Sequence, residues 1–256
     1  VWLDESKSDT ARLRALSVIT NKRWLRCDHD SLEMLGQQIF DFATSAKNIN
    51  YQRRGVMIMA YANLYNRNFD KSEQQFIRLI NFDSILGYRK SIARNYIILA
   101  EIAMRIHNYA HASVLLDSAY NIYESFDDTN KVAQTYFSRG QIAIGRGKLP
   151  LAINWFKKGL ELNKLTGNTY GITWNQTNIA SIKLDQGKYD ESLALMDEIH
   201  QNHLDTRKSD RSGEWAAYYG LMGRINSKLG RYEQAHEFYE KSIEMYRNMH
   251  LYDAVA

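Results

Sequence analysis

The sequence predicts an all-α fold, a right-handed α-solenoid of about six helical hairpins, and three observations predict it. Only one proline, Pro150, occurs in 256 residues. Proline in a helix interior costs ~3 kcal/mol, so its scarcity suits a chain that is helical almost throughout. Next, Phe69, Tyr109, Leu149, Tyr189 and Tyr232 follow one another at spacings of 40, 40, 40 and 43 residues. Finally, three further columns keep the same register. Small residues recur at Ala60, Ala100, Gly140, Ala180 and Gly223, and again at Ser72, Ala112, Ala152, Ser192 and Ala235. Bulky ones recur at Phe76, Leu116, Phe156, Met196 and Tyr239. Antiparallel helices approach within ~8–10 Å only where small side chains sit at the crossing and large ones fill the flanking grooves. Generic amphipathic helices would not hold four columns in step.

Each hairpin is then placed in turn, within a single domain spanning 1–256. In the first, at about 11–50, Asp9 and Thr10 can cap a helix running through Trp24, and Asp30 one over 31–46. His29 stands 40 residues before Phe69, in register. Hairpins two and three, at about 51–90 and 91–130, place Arg67 and His107 at their internal turns. The breakers after them are 84–87 and the run Asp127, Asp128, Thr129. The fourth and fifth, at about 131–170 and 171–213, carry Gly147 and Gly187 at that turn, where a left-handed helix stop suits glycine. Pro150 falls in the first turn of its helix, where proline costs little. Thr166, Gly167 and Asn168 separate these two hairpins, and a longer connector at 209–213 supplies the three extra residues of the 43 spacing. The sixth, at about 214–252, turns at Gly230, and the last residues read as the start of a further helix. Both ends read as those of a piece excised from a longer protein.

Composition narrows the function classes. The hydrophobic fraction of 45% and aromatic fraction of 12% support a packed structure and exclude disorder. The formal charge of +4 is interspersed, with no basic stripe or tail, so a nucleic-acid partner is not expected. The most apolar stretch, 96–100, meets Glu101 and Arg105 far short of the ~18 residues of a span, so no membrane insertion is expected here. Cys27 is the only cysteine, which forbids an internal disulfide and reads as a small apolar group.

The stretch from Asn178, Ile179 and Ala180 through Gly187, Lys188, Tyr189, Asp190, Glu191 and Ser192 resembles the tetratricopeptide repeat, as does the run from Gly230 to Ala235. The usual unit has 34 residues and a closing proline; this one has 40 and lacks it. It is similar in this to the longer variants of kinesin light chains and bacterial regulatory arrays. The opening, Asp9, Thr10, Ala11, Arg12 and Leu13, resembles the extracytoplasmic repeat arrays of membrane-bound sensor histidine kinases, cyclases and related regulators of Bacteroidetes-type bacteria. That resemblance implies an array following a signal peptide and preceding a membrane helix and an output domain. It implies a periplasmic location, with a cytoplasmic one as the alternative.

No catalytic residue, cofactor or metal is expected. His107 and His111 straddle a turn, and His200 with His203 near a helix end lacks the three or four convergent ligands a metal needs. Gly140, Gly145 and Gly147 mimic a phosphate loop, but no strand precedes them. Repeat arrays line a concave face with the first helix of each hairpin. That face is predicted to hold Tyr61, Tyr65, Ile97, Glu101, Arg105, Phe137, Gln141, Trp174, Thr177, Ser181, Arg224 and Lys228. The cationic clamp with which some tetratricopeptide arrays grip a C-terminal carboxylate is replaced here by Met57, Tyr61, Ile97, Glu101, Phe137, Gln141, Thr177 and Ser181. What remains suits a protein or peptide ligand, with aromatic anchors and acidic groups facing arginines. The leading role is a protein- or peptide-binding sensor module of a signal-transduction protein. A stand-alone scaffold or assembly factor is the second, and a dimerisation element of a fused kinase or cyclase, compatible with a homodimer, the third.

Overall fold

The computed structural model describes residues 29–203 and 212–248. The helix expected up to Trp24, Cys27, the His203 side chain, most of the 209–213 connector and the expected final helix lie outside the described residues. Within them the chain forms eleven α-helices and no strand. They are α1 (His29–Ser45), α2 (Ile49–Tyr65), α3 (Phe69–Ile85), α4 (Arg89–Arg105), α5 (Tyr109–Glu124), α6 (Thr129–Gly145), α7 (Leu149–Thr166), α8 (Thr169–Asp185), α9 (Tyr189–His203), α10 (Ser212–Lys228) and α11 (Tyr232–Asn248). None of them is long and apolar enough to cross a membrane. Two compact units divide the chain, Val1–Phe126 with α1–α5 and Asp127–Ala256 with α6–α11.

The turns explain why the helices stop where they do. Lys47, Arg67, Gly87, His107, Asp127, Gly147, Gly167 and Gly187 all have positive φ, between 51° and 75°, and stand 20 residues apart. Gly230 repeats the geometry after the longer spacing. At most of these stops the next residue donates its N–H back to a carbonyl of the last helical turn. Asn68 reaches Asn63 O at 2.8 Å, Asn108 reaches Ala103 O at 2.7 Å and Lys148 reaches Ala143 O at 2.8 Å. This closes the orphan carbonyls of the helix end. Asn48, Asn108 and Asn168 then use their side chains to cap the following helix through the N–H three residues on. A left-handed backbone strains any residue with a Cβ. Lys47→Gly and His107→Gly are therefore each expected to stabilise the chain by about 0.5–1 kcal/mol. The denaturant midpoint should rise at unchanged slope, and a fall in both would show that these turns are not left-handed.

The first unit is held by close backbone contact and one buried ionic network. A Cβ on Gly55 of α2 would lie 2.7 Å from Gly36 O of α1, so these two helices cross with almost no side chain between them. Leu32, Ile39, Ala43, Ile58 and Ala62 form the adjoining core. Ser72 on α3 donates to Ala60 O on α2 at 3.0 Å, joining the two small-residue columns directly. Asp83 on α3 is fully buried and bonded to three neighbours. It accepts from Arg53 Nε on α2, from Ser91 Oγ at 2.7 Å and from Asn95 Nδ2 at 2.8 Å, both on α4. Two consecutive hairpins are thereby tied through one carboxylate.

The second unit repeats the crossing chemistry. Phe156 on α7 lies over Gly140 on α6, and Ser192 on α9 donates to Ala180 O on α8 at 2.8 Å. Tyr239 on α11 covers Gly223 on α10 in the same way. Phe76, Leu116, Phe156 and Met196 are fully buried, but Tyr239, in the same column, is 36% exposed. No helix among the described residues follows α11 to close over it.

Candidate functional site

The predicted lining residues lie on the first helix of each hairpin, α2, α4, α6, α8 and α10. Within the first unit the structure gathers Tyr61, Tyr65, Glu101 and Arg105. Tyr61 and Tyr65 stack one helical turn apart with ring centroids at 6.5 Å, and Tyr61 meets Phe76 edge-on at 5.2 Å. His29 stacks on Tyr65 with ring centroids at 5.1 Å. Burial pushes the Tyr61 hydroxyl above its ordinary value; Arg94 opposes it, while Tyr65 and Glu101 add to it. Desolvation likewise raises the Glu101 carboxyl, with Arg105 pulling the other way, although part of the side chain still meets water. Arg94 lies near Tyr61 and Arg105 near Glu101, and both arginines are exposed.

Within the second unit a continuous strip forms. Phe137 on α6 meets Trp174 on α8 edge-on at 6.4 Å. Gln141 Nε2 donates to Asn178 Oδ1 at 2.8 Å, and Asn178 Nδ2 donates to Trp174 O at 2.8 Å. Arg224 on α10 then reaches back to α8, donating to Ser181 Oγ at 3.1 Å and to Asp185 Oδ1 at 2.8 Å. Lys228 lies exposed one turn beyond Arg224. Every hairpin step in the unit is thus bridged by side chains of the predicted strip.

Ile97 is 3% exposed and packs between helices, whereas Thr177, 9% exposed, still lines a cleft between α8, α10 and α11 together with Trp174, Ser181 and Arg224. Ile97 and Thr177 share one column with Met57, Phe137 and Gly220. Asn178, Arg94 and the small residues Ala217 and Gly220 were missed as contributors. Asn178 could have been found, since it stands one helical turn after Trp174 and 37 residues after Gln141, the same offset that separates Trp174 from Phe137.

Two of the histidines lie beside aromatic rings. His200 stacks on Tyr218 at 6.0 Å and meets Trp215 edge-on at 6.3 Å. His107 Nδ1 lies 3.0 Å from the Tyr109 hydroxyl at a turn. Among the described residues no three His, Cys, Asp or Glu side chains converge as metal ligands would.

All the buried side-chain polar atoms without a partner among the described residues fall on three consecutive positions of α8. They are Trp174 Nε1, Asn175 Oδ1 and both amide atoms of Gln176. Such atoms cost ~1–3 kcal/mol each when nothing satisfies them, so their clustering singles out this helix.

Residues 170–248 match the family model for the tetratricopeptide repeat. No curated protein matches the chain in sequence. Several solved structures share its fold. A Signal Transduction ATPase with Numerous Domains from Pyrococcus horikoshii, described as having a tetratricopeptide repeat sensor, superposes with a TM-score of 0.75 at 9% identity. The alignment covers 98% of this chain and 39% of that one. The Rap conjugation gene regulator of the plasmid pLS20, in complex with the Phr* peptide, gives 0.69 at 17% identity, over 81% of this chain and 56% of that one. NprR in complex with its cognate peptide NprX gives 0.65 at 13% identity, over 94% of this chain and 67% of that one.

Proposed function

We propose that this array of tetratricopeptide-type hairpins is a protein- and peptide-binding module, the interaction or sensing part of a larger signal-transduction protein. Its ligand is an extended segment with acidic groups. The observation that carries the reading is the bridged strip of the second unit, in which Phe137, Gln141, Trp174, Asn178, Ser181 and Arg224 form one mixed aromatic and polar face. Aromatic and arginine side chains dominate binding energies because they bury large areas at modest entropic cost. In the first unit Arg94 and Arg105 outnumber Glu101, which favours acidic residues there too. The peptides held by the Rap regulator and NprR, and the sensor role described for the ATPase, support the same reading on the same fold. A periplasmic location remains part of the proposal and rests on the opening sequence alone.

The test is a selection from a random peptide library on the immobilised chain, followed by calorimetric titration of the best sequence. Trp174→Ala is expected to weaken binding by about 1–3 kcal/mol with the fold intact. Arg224→Ala should act less and lose its effect as salt rises, because it is exposed and already shared with Asp185. Lys157→Ala and Glu237→Ala, on second helices, serve as controls. An affinity that ignores Trp174 but falls in the controls sinks the reading.

A further inference from the structure

Two second helices of the second unit carry a charge pattern that packing within the chain leaves largely unused. α7 bears Lys157, Lys158 and Lys164 against the single carboxylate of Glu161. α9 bears Asp190, Glu191, Asp197 and Glu198 and no lysine or arginine. The two helices run the same way, since one antiparallel first helix separates them, and they lie side by side, with Lys164 Nζ 3.7 Å from Glu198 Oε1. Asp197 and Glu198 stand 40 residues after Lys157 and Lys158, so the repeat sets one charged doublet at the same level of both helices with its sign inverted. Lys157, Lys158, Asp190 and Asp197 are exposed, and none of the four is ion-paired among the described residues.

Such a surface is complementary to itself. A two-fold axis passing between α7 and α9 lays α7 of one copy antiparallel on α9 of the other, and every contact then occurs twice. The doublets fall at the middle of both helices, so an axis at their level overlaps the helices fully. It brings Lys157 and Lys158 against Asp197 and Glu198 of the partner subunit. Seven residues away, about 10 Å along the helices, Lys164 meets the partner's Asp190. Between these pairs Glu161 faces the partner's neutral Ala194, so no like charges stand directly opposed. Leu165, 80% exposed, comes to the partner's half-buried Tyr189 and loses its exposure to water.

We propose that the outer face of α7 and α9 is a homodimer interface, its partner a second copy of this chain. Two helices about 25 Å long and about 10 Å apart offer on the order of 500 Å² per copy, at the small end of specific interfaces. The dimer is therefore weak, held mainly by charge, and dissociates as salt rises. The interface uses second helices alone. It leaves the strip on α6, α8 and α10 free, so its failure would not touch the peptide-binding reading above.

The experiment is sedimentation velocity of the full chain at low and high salt, with circular dichroism to show that each variant is folded. At low salt and high protein concentration the original chain is expected at twice its mass of 29.8 kDa. Its dissociation constant should rise at least about tenfold at high salt. Lys157→Glu with Lys158→Glu, and separately Asp197→Lys with Glu198→Lys, each set like charges against one another across the axis. Each pair of changes should weaken the dimer by at least about a hundredfold. Mixing the two variants matches each reversed doublet with the other, and should restore a one-to-one dimer about as strong as the original. Contact through a different face would survive either reversal and gain nothing from mixing. The proposal is overturned if the original chain stays monomeric, if either reversed variant dimerises as well as the original, or if the mixture remains monomeric.

Discussion

Gly140→Ala is expected to destabilise the chain by about 2 kcal/mol and Gly140→Leu by about 3 kcal/mol. A Cβ at this position would sit 2.4 Å from Phe156 Cε1 and 2.7 Å from Cδ1 and Cζ. The ring cannot simply swing away, for it is fully buried and packed against Phe137 at 5.5 Å. Either α6 and α7 separate or the ring leaves its rotamer, and both forfeit packing. Phe156→Ala alone leaves a cavity and costs about 3–5 kcal/mol. The diagnostic is the pair. In a Gly140→Ala, Phe156→Ala double variant the new methyl occupies space the ring has vacated, so the losses should fall short of additive by at least about 1 kcal/mol. Denaturant unfolding of the four proteins measures this, and strict additivity would mean that the two residues do not touch.

Asp83→Ala is expected to cost about 3–5 kcal/mol, because it strands the Arg53 cation and the buried Asn95 amide without their shared acceptor. Asp83→Asn keeps one acceptor oxygen and should cost less. The position of the loss matters as much as its size. Asp83 ties α2, α3 and α4 together, so hydrogen exchange should accelerate in those helices before it does in α6–α11. A loss below about 1 kcal/mol, or a uniform rise in exchange, would show the network to be incidental.

The fold was legible because close packing leaves a strong mark on sequence. A residue at a helix crossing has no freedom to grow, so Ala60, Ala100, Gly140, Ala180 and Gly223 keep step however the surface varies. The turns were equally legible at Gly147, Gly187 and Gly230, and Arg67 and His107 were placed at the same stop without a glycine to mark it; their positive φ agrees. The Asp83 network was not read, since a buried carboxylate looks like any surface one until its partners, 30 residues before and 12 after, are brought to it. A signal did exist: Asn163 and Asn175 occupy the same two positions 80 residues later and are again buried. Of the predicted lining residues, Trp174, Phe137, Gln141, Ser181 and Arg224 come together and Thr177 lines the cleft beside them, whereas Ile97 sinks between helices. An open face is defined by what is absent from it, and two residues that line the cleft, Ala217 and Gly220, carry no side-chain signature of their own.

The left-handed turns from Lys47 to Gly187 have a consequence for how such a gene can change. They divide the chain into steps of 20 residues, and alternate steps are equivalent. Excising residues 129–168 would join Asp128 to Thr169, restoring a left-handed stop, a capping residue and a threonine-led first helix in the same order. Excising half as much would set a second helix where a first belongs and turn the small-residue columns away from their partners. Insertions and deletions of whole hairpins, forty codons at a time, are therefore expected to preserve the junctions, and recombination between neighbouring hairpins to lengthen or shorten the array without inventing a new one.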